Sequence, residues 1–396
     1  MPHYFDEKTN SHYFKINYKD ESGQYKQLLR RGFKTIKEVK AAMAKAETEI
    51  NEGKFVKESK ILYEDFMRDW LEDKKRNIKK GTWIMYSSLV NNHILPIRVN
   101  AAGKKVGLSG FTLGKIKARH IKDLLHHLHD SQALSDENIQ KCYSIIKDSL
   151  KIARTEGLVS DNQAELVKRP TKRKKEMQVW TLEQSQQFLR GAASDPLYNV
   201  FLLALTTGMR QGEILGLRLK DVDPENSIIS VTQILQHDGK GFDFGAKTLS
   251  GVRPIRLDKS TMESLQKHIR KSKEKRMEFA DVFEDNGLVF CTKTGKPLSP
   301  RNVYRSFERI INTINEELQK KRSAGLDVGP DLPKIRFHDM RHTHVTFLIK
   351  NRETPQAIAE RLGWSDTRMI DNYAHIRPDI QMDVAETFGR SFYSSN

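Results

Sequence analysis

The chain has 396 residues, and its 68 lysines and arginines outnumber its 51 acidic residues, which gives a formal net charge of +17 at pH 7. A charge of this size predicts a polyanionic partner, such as DNA, RNA or an anionic membrane surface. The longest uninterrupted apolar run, residues 200–205, is far shorter than the roughly 20 residues of a membrane-spanning helix, and the N-terminus lacks the apolar core of a signal peptide. The two cysteines exclude a disulfide framework and a four-cysteine zinc site. We therefore expect a cytoplasmic, nucleic-acid-binding protein of two or three domains.

Residues 1–55 are expected to form a small sheet followed by one helix. Apolar and polar residues alternate over residues 14–18, and a second strand is expected over residues 24–31. Thr35 and Glu38 have the spacing of a capping box, which predicts the start of an amphipathic helix, and Gly53 is expected to stop it. The module is rich in basic residues, and its candidate DNA contacts are Lys15, Lys26, Arg30 and Arg31.

Residues 59–168 are expected to be all helical, because apolar residues recur there at spacings of three and four. Ser135 is the expected N-cap of one helix, and Gly157 is its expected stop. Residues 100–114 carry four glycines and little periodicity, which predicts a long loop.

A basic linker is expected over residues 169–177, where like charges repel one another and resist packing. We interpret it as a segment lying against phosphates, although a solvated linker without a ligand has the same pattern. Its candidate DNA contacts are Lys172, Arg173, Lys174 and Lys175. Residues 178–396 then mix helices with a short β region at about residues 228–257, and Thr181 with Gln184 forms another capping box.

Two positions in this last segment are candidates for phosphate chemistry. Arg210 follows Gly208 at the expected start of a helix, where a guanidinium can grip a phosphate and Glu213 can orient it. Lys247 lies at an expected hairpin tip, from which an ammonium can reach a site and donate a proton. Taken singly, an arginine such as Arg210 is more often a surface salt-bridge residue, and a lysine such as Lys247 is more often a solvated loop residue.

Further candidates follow towards the C-terminus. His338 and Arg341 are three residues apart and are expected to share a helix face. A metal site formed by His338, His342 and His344 is an alternative, but Arg341 would place a cation among the ligands and no matching acidic or cysteine ligand lies nearby. Trp364 and Tyr373 end the series.

The ordered set of Arg210, Lys247, His338, Arg341, Trp364 and Tyr373 resembles the tyrosine recombinases, which include lambda-type integrases, Cre and the Xer proteins. The helical segment resembles their core-binding domain. The N-terminal module is similar to the arm-binding domains of integrases from phages and conjugative transposons of Gram-positive bacteria. Many relatives carry histidine where this chain has Trp364, although Cre-like members also carry tryptophan. The resemblance implies a multidomain, mainly α fold with small β parts: a sheet-plus-helix arm module, an all-α core-binding domain and an α+β catalytic domain.

The resemblance also implies a reaction. Tyr373 would form a 3′-phosphotyrosine, Arg210 and Arg341 would clamp the phosphate, and Trp364 would hydrogen-bond and pack the site. Lys247 would act as general acid, and His338 would help to accept the tyrosine proton. Strand exchange would pass through a Holliday junction, without a cofactor or a metal ion. The implied partners are double-stranded DNA with core and arm sequences, a homotetramer on that DNA, an excisionase and a DNA-bending host protein, with no membrane. The implied location is the nucleoid of a bacterial host.

Three alternatives remain at this point. A non-catalytic DNA-binding protein would be expected to lack one or more of the six residues, and none is missing. A type IB topoisomerase shares the chemistry but not the arm-like module. A Xer-type resolvase resembles shorter chains that lack that module.

Overall fold

The computed structural model describes residues 2–19, 23–51, 59–172, 177–244, 252–376 and 380–393. Its contacts divide the chain into two compact units, residues 1–174 and 175–396. Helices predominate in both units and the sheets are small, which confirms the expected fold class. Within these described ranges, no helix combines the length and the apolar character needed to cross a membrane.

The N-terminal module is a three-stranded antiparallel sheet with one helix on it. The strands are β1 (His3–Asp6), β2 (Ser11–Lys19) and β3 (Tyr25–Phe33), in the order β1-β2-β3, and the helix is α1 (Ile36–Asn51). The predictions of β2, β3 and α1 are confirmed, although β3 runs two residues beyond its expected end. The short β1 was not predicted, because four residues carry too little alternation. The expected helix stop at Gly53 lies outside the described residues.

The capping residues and one sheet face explain why this module folds. Thr35 Oγ1 accepts a hydrogen bond from the Glu38 N–H at 3.2 Å, and the Glu38 carboxylate accepts one from the Lys34 N–H at 3.0 Å. Helix α1 packs on one face of the sheet, where Phe14 and Val39 are completely buried. Burying such side chains contributes roughly 1.5–3 kcal/mol each to the stability of this module.

The following segment is a helical bundle. Its helices are α2 (Tyr63–Asn77), α3 (Lys80–Leu89), α4 (Ala118–Asp130) and α5 (Asp136–Thr155). Ser135 caps α5 by accepting a hydrogen bond from the Asn138 N–H, and Gly157 just beyond α5 has a φ of +68°. Both predictions are confirmed.

The segment of residues 100–114, which was expected to be a long loop, contains short elements of regular secondary structure. It contains most of a hairpin of two-residue strands, β4 (Arg98–Val99) and β5 (Lys105–Val106), and a 3-10 turn at Leu113–Lys115. The Asn100 side chain accepts hydrogen bonds from the Ala102 and Lys104 N–H groups and fixes the hairpin turn. Strands this short are below the length at which a hydrophobic pattern can be recognised.

The second unit begins with α6 (Leu182–Gly191), α7 (Tyr198–Thr207) and the short α8 (Gln211–Leu215). The expected β region holds β6 (Val222–Asp223), β7 (Ile228–Val231), β8 (Gln233–Leu235), β9 (Phe242–Phe244) and β10 (Arg253–Arg256). The strands form a sheet of order β10-β7-β6 and a β8-β9 pair. The remaining helices are α9 (Lys259–Glu278), α10 (Pro300–Ser323), α11 (Asp339–Lys350), α12 (Pro355–Leu362) and α13 (Ile380–Tyr393).

An aromatic core holds the helices of this unit together. Phe188, Phe201 and Phe307 contact one another, with ring centroids 5.1 to 5.9 Å apart, and Trp180 and Phe337 extend the cluster. Helix α7 also packs against α11. As a result, the C-terminal end of α7 is fixed beside residues that lie more than 130 positions further along the chain.

Candidate active site

The turn after α7 presents Arg210. Gly208 ends α7 with a φ of +67°, and a Cβ there would lie 2.8 Å from side-chain carbons of His344 and Leu362. Only glycine meets both demands, since it tolerates a left-handed conformation and occupies no side-chain space. Arg210 then precedes α8, and its side chain is 44% exposed, so that its guanidinium can be reached from solvent.

Glu213 holds the guanidinium of Arg210 in place. Its carboxylate accepts hydrogen bonds from Arg210 Nη1 at 2.8 Å and from the Arg210 N–H at 2.9 Å, and it also accepts one from Arg253 Nη2 at 2.9 Å. Burial by itself would raise the pKa of Glu213, but the charges of Arg253 and Arg210 outweigh it and lower the pKa. The expected role of Glu213 as a support for Arg210 agrees with this geometry.

Arg341 is the second cation of the site. It is buried on α11, where Nη1 donates to the Gly208 carbonyl at 2.6 Å and Nη2 donates to the Leu362 carbonyl at 2.9 Å. Burial, followed by the nearby Arg210 charge, lowers the pKa of Arg341 to about 9, so the group is still charged at pH 7. Its Cζ lies 5.7 Å from the ring of Trp364, a cation–π distance.

Tyr373 lies beside these residues in the 3-10 run Thr367–Ile376, with only 2% of its surface exposed. Its hydroxyl shares a hydrogen bond with Nδ1 of His342, and its ring lies 6.4 Å from that of Trp364. Burial raises the pKa of Tyr373 to about 12, although the Arg341 charge acts in the opposite direction. A phenol in this state needs a proton acceptor before it can react at neutral pH.

The two histidines of the site are both neutral at pH 7. His338 precedes α11 and contacts His342 edge-on, with centroids 5.2 Å apart. Burial, then repulsion from His342 once that ring is protonated, and then the charge of Arg341 lower the pKa of His338 to about 4. Burial also lowers the pKa of His342. Of these two neutral imidazoles, His342 is the one whose Nδ1 contacts the hydroxyl of Tyr373.

The alternative of a three-histidine metal site does not match this arrangement. His344 is hydrogen-bonded through Nδ1 to the Leu205 carbonyl at 2.9 Å and accepts from Arg361 Nε at 3.2 Å, so both of its ring nitrogens are engaged. Across the part of the chain that the structure describes, no three His, Cys, Asp or Glu side chains are grouped so that they could hold a metal ion.

The other candidates are dispersed or not described. Lys247 lies outside the described residues, as do Arg173, Lys174 and Lys175, while Lys172 is exposed just before that gap. In the N-terminal module, Lys15 stands opposite Leu29, whereas Arg30 pairs with Phe14 and Lys26 pairs with Tyr18. Residues opposite each other point to the same side of a sheet, so Arg30 and Lys26 lie on the side of α1 and Lys15 lies on the other side.

The sequence did not reveal the roles of two residues of the site, His342 and Arg253. His342 was considered only as a metal ligand, because spacing along a helix shows which histidine follows Arg341 but not which one faces a distant tyrosine. Arg253 was not among the candidate residues, yet it is 5% exposed and donates through Nε to the Arg361 carbonyl at 2.9 Å. A buried arginine on a short strand has no sequence signal of its own.

Three family models match the chain. Residues 167–379 match the phage integrase family, residues 2–50 match an arm DNA-binding domain, and residues 62–97 match the N-terminal SAM-like domain of phage integrases. A tyrosine recombinase XerC-like protein of Caldanaerobacter subterraneus subsp. tengcongensis is 25% identical, over 97% of this chain and 98% of its own. The ICEBs1 integrase of Bacillus subtilis is also 25% identical, over 89% of each chain.

Solved structures show the same fold. The Tn1549 transposon integrase in complex with circular intermediate DNA aligns with a TM-score of 0.64 and 21% identity, over 82% of this chain and 98% of that one. A lambda integrase tetramer bound to a Holliday junction aligns with a TM-score of 0.55 and 17% identity, over 95% of both chains. These findings confirm the resemblance to tyrosine recombinases that carry an N-terminal arm-binding domain. With residues 167–379 matched by its model, the chain belongs to the phage integrase family of tyrosine site-specific DNA recombinases.

Proposed function

We propose that Tyr373 is the nucleophile that cuts and rejoins DNA in the integration and excision of a mobile element. Its Oη would attack a scissile phosphodiester, so that an O–P bond to the tyrosine forms while the bond to the 5′-oxygen breaks. The 3′-phosphotyrosine conserves the energy of the phosphodiester, and the 5′-hydroxyl of a partner strand can reverse the step without ATP. Two such rounds of exchange pass through a Holliday junction.

The two arginines would stabilise the charge that develops on the phosphate oxygens. Arg341 donates two of its five N–H groups to backbone carbonyls, and Nη1 of Arg210 is held by the Glu213 carboxylate. Donors held in place before the reaction cost no reorganisation when the five-coordinate phosphorus forms. Trp364 would pack against Arg341 and Tyr373 and offer its indole N–H.

Protons must leave the tyrosine and reach the departing oxygen. His342 is in direct contact with the hydroxyl and is neutral at pH 7, which supports it as the immediate acceptor, with His338 packed behind it. Lys247 is assigned as the general acid for the 5′-oxygen on the basis of the family resemblance alone.

The working assembly is proposed to be a homotetramer on double-stranded DNA with core and arm sequences, assisted by an excisionase and a DNA-bending host protein, in the nucleoid of a bacterial host. A related lambda integrase is seen as a tetramer on a Holliday junction, which supports the assembly. We assign residues 1–55 to arm binding, 59–168 to core binding, 169–177 to a basic linker and 178–396 to catalysis. The family matches at 2–50, 62–97 and 167–379 support this division.

The observation that carries this proposal is the convergence of Arg210, Arg341, His342, Trp364 and Tyr373. These residues come from three separate stretches of the chain. Linked contacts join Arg341 to Trp364, Trp364 to Tyr373 and Tyr373 to His342, and the charge of the nearby Arg210 acts on Arg341. A protein that only binds DNA has no need to bury a tyrosine against a neutral histidine and an arginine. The arm module supports recombination over relaxation by a topoisomerase.

The test is covalent capture. The purified chain is incubated with labelled DNA from the ends of its own element, nicked near the crossover, and the adducts are separated on denaturing gels. We expect an adduct with the unchanged protein and none with Tyr373→Phe, while DNA binding by Tyr373→Phe stays within about twofold. Tyr304→Phe is the matched control, since Tyr304 is an exposed tyrosine on α10, and it should keep full adduct yield. Adduct formation by Tyr373→Phe at the normal level would remove Tyr373 from its role.

A further inference from the structure

The sheet of the N-terminal module has one open face. Helix α1 covers the side on which Phe14 and Ile16 are buried. Side chains alternate along a strand, and residues opposite each other in an antiparallel pair share a face. The open face of β2 and β3 is therefore defined by three opposed pairs, all of them exposed: Lys15 with Leu29, Asn17 with Gln27, and Lys19 with Tyr25.

The centre of this face is a pair of amides. Gln27 Nε2 donates to Asn17 Oδ1 at 3.0 Å, directly across the two strands. This bond holds the two side chains together and leaves Gln27 Oε1 as an acceptor and Asn17 Nδ2 as a donor. The pair thus presents one acceptor and one donor side by side on an exposed surface.

Cations surround the amide pair. Lys15 and Lys19 flank Asn17 on the same strand face, and the Lys19 Nζ lies 4.9 Å from the ring of Tyr25. At the other end, the Arg31 Cζ lies 5.4 Å from the ring of Tyr13. No carboxylate occurs in residues 13–19 or 25–31. Phosphates on both walls of a DNA groove would therefore meet lysine and arginine while the amides face the base edges.

We propose that Asn17 and Gln27 act together as a reader of one adenine in the arm site, a specificity that rests on the arm binding proposed above. The major groove of B-DNA is about 12 Å wide and admits a two-stranded ribbon. Adenine presents there an acceptor, N7, beside a donor, the N6 amino group, which is the complement of the amide pair. Guanine offers two acceptors, cytosine only a donor, and thymine only an acceptor and a methyl group, so none of them satisfies both amides.

The same geometry divides the basic residues of the module by function. Lys15, Lys19 and Arg31 belong to the groove-facing side and would contact phosphates without reading sequence. Lys26 and Arg30, which pair with Tyr18 and Phe14, lie on the side of α1 and have no part in the reader.

The experiment is a selection with the full chain carrying Tyr373→Phe, which removes covalent capture. Double-stranded DNA with a randomised centre is enriched by binding, and the recovered sequences are sorted into motifs. The arm motif is the one whose enrichment is lost when Lys15→Ala and Arg31→Ala are combined in the same full chain. Binding is then measured for all four bases at each position of that motif, at several salt concentrations.

At one position of the arm motif, the parent protein should prefer adenine by about 5- to 150-fold, the range of a good bidentate base contact. Asn17→Ala and Gln27→Ala should each reduce that preference to within about twofold and leave the salt dependence unchanged. Lys15→Ala should keep the adenine preference. It should make the slope of log K against log salt less steep by about 0.9, the value for one phosphate contact. Lys40→Ala, which removes a charge from the exposed side of α1, should alter neither quantity.

Three outcomes would overturn the inference, and they differ in whether they also contradict the proposed arm binding. If the base preferences of the arm motif are unchanged in both amide variants, arm binding stands but Asn17 and Gln27 do not read a base. Loss of a preference for a base other than adenine would remove the assignment to adenine. If the parent protein selects no motif that depends on Lys15 and Arg31, both the proposed arm binding and the recognition of adenine by Asn17 and Gln27 are wrong.

Discussion

Replacing His342 with alanine tests the proton transfer that starts the reaction. The hydroxyl of Tyr373 is buried and its pKa is raised to about 12, so it is not ionised at neutral pH. The only imidazole nitrogen that contacts it within the described chain is Nδ1 of His342. His342→Ala therefore removes the acceptor and leaves the phenol to lose its proton to water.

The size of the effect follows from the pKa of Tyr373. With a pKa of about 12, roughly one molecule in 10⁵ carries a tyrosinate at pH 7. A positioned general base contributes about 10²- to 10⁴-fold, so cleavage by His342→Ala should be slower by that factor, or roughly 3–5 kcal/mol in the barrier. The rate of the variant should then rise about tenfold for each pH unit, since the tyrosinate fraction rises in that proportion.

The unchanged protein should respond differently to pH. Burial lowers the pKa of His342, so this histidine is already the neutral acceptor at pH 7 and gains nothing from a higher pH. Between pH 7 and pH 8, where Arg341 is still largely charged, its cleavage rate should change by no more than about twofold, while that of His342→Ala rises about tenfold. The assay is single-turnover cleavage of a nicked core-site DNA, with adduct measured over time at each pH.

His342→Asn separates chemistry from positioning. Asparagine can hydrogen-bond to the phenol but cannot take its proton, so this variant should be as slow as His342→Ala. Rates for His342→Asn close to those of the unchanged protein would show that His342 only positions the tyrosine. A flat pH profile for His342→Ala would contradict the proton-transfer role. Each variant is first checked for unchanged DNA binding and thermal unfolding.

Three further predictions concern the metal requirement, the support of Arg210 and the division of the chain. Cleavage should survive excess EDTA, because Arg210 and Arg341 supply the positive charge at the phosphate; loss in EDTA that magnesium restores would contradict this mechanism. Glu213→Ala should lower the free energy of unfolding by about 3–5 kcal/mol in urea, because it leaves Arg253 buried without its carboxylate, whereas Glu308→Ala on the surface of α10 should cost less than about 1 kcal/mol. A chain that begins near Val56 should keep cleavage and protection of the core site and lose protection of separate arm sites in footprinting; a footprint equal to that of the full chain would refute the two-site organisation.

The sequence by itself was enough to predict the order of the modules and to name most residues of the candidate site. Helix starts such as Thr181 and Ser135 were predictable because a cap is a local arrangement of a side chain and a backbone N–H three residues on. Arg210 was likewise predictable at a turn, since Gly208 breaks a buried apolar helix. The family resemblance then arose from six residues in order, which no single spacing would have revealed.

The tertiary structure decided which of these residues touch. The bond between His342 and Tyr373 joins residues 31 positions apart and depends on the rotation of α11 and the path of the 3-10 run that follows α12. The ion pair between the buried Arg253 on β10 and Glu213 on α8 joins residues 40 positions apart, which no local pattern encodes. In the N-terminal module, strand alternation predicted a sheet, but only the register of β2 on β3 places Asn17 opposite Gln27 and turns Lys26 and Arg30 to the other face. A register shift of one residue would exchange those faces, because side chains alternate with a period of two.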